Sequence, residues 1–156
     1  EILKDSRHGT YGVAAMCASI VLRMLSLGSL PGPAAMFAAA VAAHTMGRVP
    51  AVGMAGTMRL ATHAGLGADY GRGTTPARAA LGCASGLAIT ALATGWWAGP
   101  LALSALVAAL ATGTLARRKI GGISGDVMGA AEQVAECLCF VVISALALHH
   151  HLWWQP

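Results

Sequence analysis

The sequence predicts an all-α protein, a polytopic integral membrane bundle of about five transmembrane helices. Three observations predict it. Hydrophobic residues make up 56% of the 156 positions and charged residues only 10%, against about a quarter charged in soluble domains. The apolar residues gather in runs long enough to cross a bilayer, and the gaps between runs hold nearly all the charge. Those gaps alternate between basic and uncharged, as loops on opposite sides of a membrane do. The two-residue alternation that membrane barrel strands need is absent. Residues 1–156 read as a single membrane domain.

The opening segment, 1–12 (EILKDSRHGTYG), is polar and charged. Glu1 and Asp5 are four apart and share a helix face, and Gly9 and Gly12 mark a turn before the first apolar run. That run, 13–30, is the first span, interrupted by Arg23 and stopped at Pro31-Gly32-Pro33. An arginine so far inside a span costs several kcal/mol unless it finds a partner, faces the bundle interior or snorkels to the interface. The second span, 34–58, carries His44, Arg48 and Pro50 in its second half. His44 and Arg48 are four apart and look the same way, and Pro50 removes a backbone hydrogen bond and predicts a kink.

Residues 59–78, with His63, Gly65-Leu66-Gly67, Asp69 and Arg72, read as a loop. The third span is 79–97 and the fourth 101–116, joined by the uncharged Trp96-Trp97-Ala98-Gly99-Pro100; Arg117-Arg118-Lys119 form the next loop. The fifth span runs from about Val127 to Leu148 and ends in His149-His150-His151, read as an exposed polar tail rather than a metal site. Cys17, Cys83, Cys137 and Cys139 lie in apolar stretches without a C-x-x-C pair, and read as reduced, buried small hydrophobes.

Lysine and arginine occupy the opening segment, the second loop and the fourth loop, and are missing from the first loop, the third loop and the tail. The positive-inside rule puts the basic segments in the cytoplasm, and Trp96-Trp97 and Trp153-Trp154 then share the opposite interface as an aromatic belt. The net charge of +4 is accounted for by this orientation, so no nucleic-acid role follows from it. Carboxylates, arginines and glycine-rich backbone converge on the cytoplasmic side. Such a face suits a phosphate or diphosphate with Mg²⁺, since arginine forks match phosphate oxygens and that cation takes oxygen ligands.

The stretch 121–136 carries the sharpest motif, GGISGDVMGA followed by Gln133 and Glu136. At about 100° per residue Asp126, Gly129, Gln133 and Glu136 share a helix face turned inward, and ionisable groups inside a span are functional candidates. Gly122, Gly125 and Gly129 leave that face open to a ligand. The plainer alternative is a helix start, with Ser124 or Asp126 as N-cap and glycines for close packing. On the first reading Asp126, the opening segment and Arg48 share one water-accessible pocket.

With these residues assembled, the chain resembles the cobalamin synthase family, the adenosylcobinamide-GDP ribazoletransferases. The matching stretches are EILKDSRHGTYG, Arg48, Gly65-Leu66-Gly67 and GGISGDVMGA with Gln133 and Glu136, and Arg23 falls where the family carries a basic residue. The resemblance implies an enzyme of the bacterial cytoplasmic (inner) membrane that joins adenosylcobinamide-GDP to α-ribazole, or to its 5′-phosphate, with release of GMP. Mg²⁺ is the implied cofactor. Asp126 and Asp5 are the implied metal ligands. Lys4, Arg7 and Arg48 are the cations facing phosphate, beside the backbone of Gly122, Gly125 and Gly129. Glu136 is a base or an orienting group. The family's aspartate-rich motif, D-G-x-x-D-x-x-D-G in kind, lies upstream of these stretches and is not in this sequence. The expectation is therefore a carboxy-terminal part of the enzyme, inactive by itself. Homo-oligomerisation is left open. Rival readings are a small transporter or channel component using Arg23, His44 and Arg48, a CDP-alcohol phosphotransferase-like enzyme, and a structural membrane subunit.

Overall fold

The computed structural model describes residues 9–62 and 64–154. Its helices are α1 (Thr10–Gly28), α2 (Pro33–Thr57), α3 (Leu66–Gly73), α4 (Pro76–Thr94), α5 (Ala98–Ile120) and α6 (Gly125–Ala147), with a 3-10 turn at Gly95–Trp97 between α4 and α5. Three stretches are long and apolar enough to cross a membrane: Thr10–Gly28, Pro76–Ile120 and Gly125–Ala147. The middle stretch folds back at Gly95, whose φ of +63° favours glycine, and so contributes both α4 and α5. The fifth long helix, α2, has 25 residues and continues unbroken through Pro50.

α2 is the centre of the bundle and packs against α4, α6 and α5, whereas α1 rests chiefly on α6. Small side chains allow this. Ala35, Ala38, Ala39, Ala42 and Ala43 bury one face of α2, so backbones approach closely where lipid gives no hydrophobic reward for association. Across from them, a Cβ on Gly86 would stand 2.9 Å from Val49 and one on Gly82 3.0 Å from Val52. Outward-facing Phe37, Leu81, Leu92, Leu103 and Leu115 are exposed, an apolar surface of the kind a bilayer solvates.

The two ends of the bundle differ. At one, Leu30, Trp97 and Leu152 join a single buried cluster, which brings the first loop, the third loop and the tail together. The tail is pinned there: Trp153 Nε1 donates to the Leu92 carbonyl at 3.3 Å and Trp154 Nε1 to that of Ala93 at 3.0 Å. The His149–His151 side chains are exposed, as expected of a polar tail, but Leu152 beyond them is buried. At the other end the second and fourth loops meet, which is the segregation of charge that the loop alternation predicts.

Three expectations need correction. Residues 59–78 are not all loop, because 66–73 wind into α3: Gly65 turns the chain at φ +96°, Ala68 is buried, and Arg72 pairs with Asp69 one turn away. Arg117, Arg118 and Lys119 belong to the last turn of α5, where cations oppose the negative helix end, and Gly121 at φ +77° closes it. All four cysteines are free, but only Cys139 is buried: Cys83 and Cys137 are half-buried, and Cys17 is exposed, since α1 covers only one side of itself against α6.

Candidate functional site

The basic end is joined through backbone. Ala61 N–H donates to the Ile123 carbonyl at 2.8 Å and Ile123 N–H to the Arg59 carbonyl at 2.9 Å, a two-bond parallel bridge between the loops. Glycine makes the approach possible. A Cβ on Gly122 would run into the Arg59 carbonyl and stand 2.9 Å from Ala61 N, and one on Gly67 would stand 2.5 Å from Gly125 Cα. Gly125 is exposed, with the Gly67 backbone only in ordinary contact at 3.4 Å from its Cβ position, but Gly122 does not leave a face open to a ligand, because neighbouring backbone fills the space. Gly129 does: a Cβ there meets nothing within 4 Å.

Ser124 is the N-cap of α6, accepting from Val127 N–H at 3.4 Å. Asp126 follows in the first turn, where a carboxylate complements the positive helix end. It is exposed rather than turned inward, because the α6 stripe that faces the bundle passes through Met128, Ala131, Ala135 and Cys139. Among the described residues no three His, Cys, Asp or Glu side chains gather into a metal-holding group. One carboxylate falls short of the oxygen set that Mg²⁺ requires. Asp5, Lys4 and Arg7 lie outside the described residues.

A second polar centre lies about 15 Å further along α6, ten residues at helical rise. Glu136 is buried, its side chain 5% exposed, at the middle of the helix. One carboxylate oxygen accepts from Arg23 Nη2 of α1 at 2.7 Å, and the other lies 2.8 Å from His44 Nδ1 of α2. Arg23 Nη2 also donates to Gln133 Oε1 at 2.7 Å, while Arg23 Nε is buried with no partner among the described residues. Glu136 lies so close against α2 that a Cβ on Gly47 would overlap its side chain. One turn away, Arg48 Nη1 stands 3.5 Å from Glu132 Oε1. His44 and Arg48, four apart on α2, thus face Glu136 and Glu132, four apart on antiparallel α6.

Arg23 finds the partner its depth demands, and His44 and Arg48 do look the same way. Arg48, however, does not meet Asp126. It lines a groove of about 480 Å³ between α2 and α4 together with His44, Thr45, Gly82, Ser85 and Gly86, and Asp126 is not part of that lining. The expected common pocket is therefore two places, because Arg48 lies nine residues before the end of α2 and so well below the loops. Sequence reasoning passed over Glu132 and did not join Arg23 and His44 to Glu136. The signal was the pair of matched four-residue steps on two helices.

The fold and these two centres define a polytopic helical membrane protein with charged groups buried between spans and a glycine-joined loop face at one end. The comparisons name its kind. The family model for cobalamin-5-phosphate synthase matches residues 1–144, and the chain belongs to that family. It is 35% identical over 150 residues to an adenosylcobinamide-GDP ribazoletransferase of Bradyrhizobium diazoefficiens, covering 95% of this chain and 57% of that one. It is 36% identical to a protein of the same name from a Sinorhizobium species, covering 94% and 58%, and 33% identical to one from Ralstonia nicotianae, covering 92% and 57%. The chain thus spans little more than half the length of these relatives. No solved structure matches it.

Proposed function

We propose that the protein is an adenosylcobinamide-GDP ribazoletransferase of late cobalamin assembly, joining adenosylcobinamide-GDP to α-ribazole or its 5′-phosphate with release of GMP. The reaction is substitution at phosphorus. An acceptor hydroxyl attacks the phosphorus that carries the cobinamide arm, and the bond to the bridging oxygen of GMP breaks. Preorganised cations at the developing charge supply most of the rate in such chemistry.

The observation that carries this reading is the loop junction. It holds Asp126, exposed on the first turn of α6, at the same end as Arg59 and the Arg117–Lys119 run. A water-facing end that carries Arg59 and the Arg117–Lys119 run with the carboxylates of Asp69 and Asp126 suits a soluble, polyanionic nucleotide substrate. We assign this end to the cytoplasmic side of the inner membrane, on the positive-inside rule. Mg²⁺ belongs to the proposal with Asp126 as one ligand of a set that the described residues do not complete, and no step is routed through it. A transport role is less well supported, since Leu30, Trp97 and Leu152 close the opposite end with buried apolar side chains.

The test is turnover of adenosylcobinamide-GDP and α-ribazole by the protein at its full length in membranes, followed as GMP release. Replacing Asp126 by Ala is expected to abolish turnover while leaving expression and membrane insertion intact. Unchanged turnover would remove Asp126 from the site.

A further inference from the structure

We propose that His44 is a catalytic residue of that substitution, taking the proton from the attacking hydroxyl, with Glu136 as its positioning residue and Arg48 as the cation that holds phosphate beside it. The inference rests on the transferase reading but puts the reacting phosphorus in the α2/α4 groove instead of at Asp126, so turnover that survives Asp126→Ala and is lost in the His44 variant is its distinguishing result.

The geometry fixes the chemistry of the imidazole. Glu136 shares one carboxylate oxygen with Arg23 at 2.7 Å and offers the other to His44 Nδ1 at 2.8 Å. A carboxylate held by a guanidinium is ionised and can only accept hydrogen bonds, so Nδ1 must carry the hydrogen. In neutral His44 that leaves Nε2 as a bare lone pair, the tautomer that a carboxylate-oriented base requires. Nε2 has no hydrogen-bond partner among the described residues, and the His44 side chain is 56% exposed and lines the α2/α4 groove.

The ring is also held against rotation. Phe140 meets it edge-on at 5.9 Å between centroids, and Gly47, which has no side chain, lets Glu136 lie against α2. Arg48, one turn along and 70% exposed, lines the same groove. The charged groups around His44 are Glu136 and Glu132 on α6, Arg23 on α1 and Arg48 on α2, while α4 brings only Ser85 among polar side chains to the groove.

A purely structural role explains less. Arg23 and Glu136 neutralise each other without a third member, and an imidazole exposed on its far side adds no burial. A groove with an unpartnered lone pair next to a guanidinium that is 70% exposed and meets Glu132 through one nitrogen only, at 3.5 Å, is instead the arrangement that accepts a hydroxyl and a phosphate together. The step balances. The hydroxyl proton passes to Nε2, the oxygen forms its bond to phosphorus, and the bridging oxygen departs with its electron pair on GMP. The imidazolium, stabilised by Glu136, then releases its proton to water or to GMP.

The experiment uses the full-length protein in nanodiscs with adenosylcobinamide-GDP and α-ribazole. His44→Ala is expected to lower kcat by about 100-fold or more with KM within about threefold, the range of a lost general base. Added imidazole is expected to restore at least about tenfold of the lost rate, since it fits the vacated space and accepts the same proton. Arg48→Ala is expected mainly to raise KM. Should His44→Ala fail to insert, His44→Gln serves in its place, with the same imidazole rescue. A folded His44 variant with near-normal kcat, or a loss that imidazole does not restore, overturns the assignment of His44. If the unaltered protein does not turn these substrates over, the transferase reading falls and takes the inference with it.

Discussion

The loop junction and the mid-bundle polar centre both bring distant segments together, yet they do so with different materials. The junction is made of backbone: two backbone hydrogen bonds between residues 59–61 and 123, and glycine against glycine at Gly67 and Gly125. The polar centre is made of long side chains, Arg23, Gln133, His44 and Glu136, held in a low-dielectric interior. Backbone joints tolerate almost any chemistry in their neighbours but no added volume. Side-chain joints tolerate changes of volume but no unbalanced charge. The contrast predicts which substitutions each region will bear.

The largest effect should come from Glu136→Ala, which leaves the half-buried Arg23 with Gln133 but without its counter-charge and costs about 3 kcal/mol, the low end for a broken buried pair. Denaturant titration in detergent micelles measures this. The contrast sharpens in the double variant Arg23→Met with Glu136→Leu. It removes both charges and should unfold within about 1 kcal/mol of the unaltered protein, because a buried ion pair often adds little net stability. A double variant as unstable as the single one would show that the pair itself, and not the orphaned charge, stabilises the bundle.

Next in size is Gly122→Ala, where the added methyl meets the Arg59 carbonyl and the chain must shift, at about 1–3 kcal/mol. Cysteines introduced on either side of the junction should then cross-link more slowly. The smallest effect belongs to Gly129→Ala. With nothing within 4 Å of the new methyl, the helix preference of alanine should leave stability unchanged or raise it by up to about 1 kcal/mol. Equal losses at positions 122 and 129 would end the distinction between filled and open glycines.

Much of this architecture was legible from the residues. Long apolar runs and the alternation of basic loops gave the spans and their relative orientation, because both follow from the one-body energetics of a residue in lipid or at its surface. Arg23's need for a partner was legible for the same reason. What escaped was pairwise. Nothing in 121–129 alone distinguishes a glycine that faces ligand from one that faces another backbone, since the deciding atoms belong to residues 59–67. Asp126 looks inward on a helical wheel when it is grouped with Glu136, but at helical pitch the two lie about 80° apart and only the Glu136 edge borders the buried stripe of Met128, Ala131, Ala135 and Cys139. The facing steps of His44 with Arg48 and Glu132 with Glu136 become visible only once α2 and α6 are known to be neighbours. The loop 59–78 hid α3 because an eight-residue helix with three glycines has little intrinsic tendency to form, and it depends on burying Ala68.

The attachment of α1 to α6 sets an order on the birth of the protein. Arg23 leaves the ribosome 113 residues before Glu136, an interval of about 6–23 s at ordinary synthesis rates. For all that time the guanidinium is without Glu136, and the translocon or the lipid headgroups can shelter it. α1 thus docks on α6 only after every other long helix among the described residues has been made. Slowing translation between α5 and α6 should therefore expose α1, rather than the central α2, to the proteases that survey unassembled membrane segments.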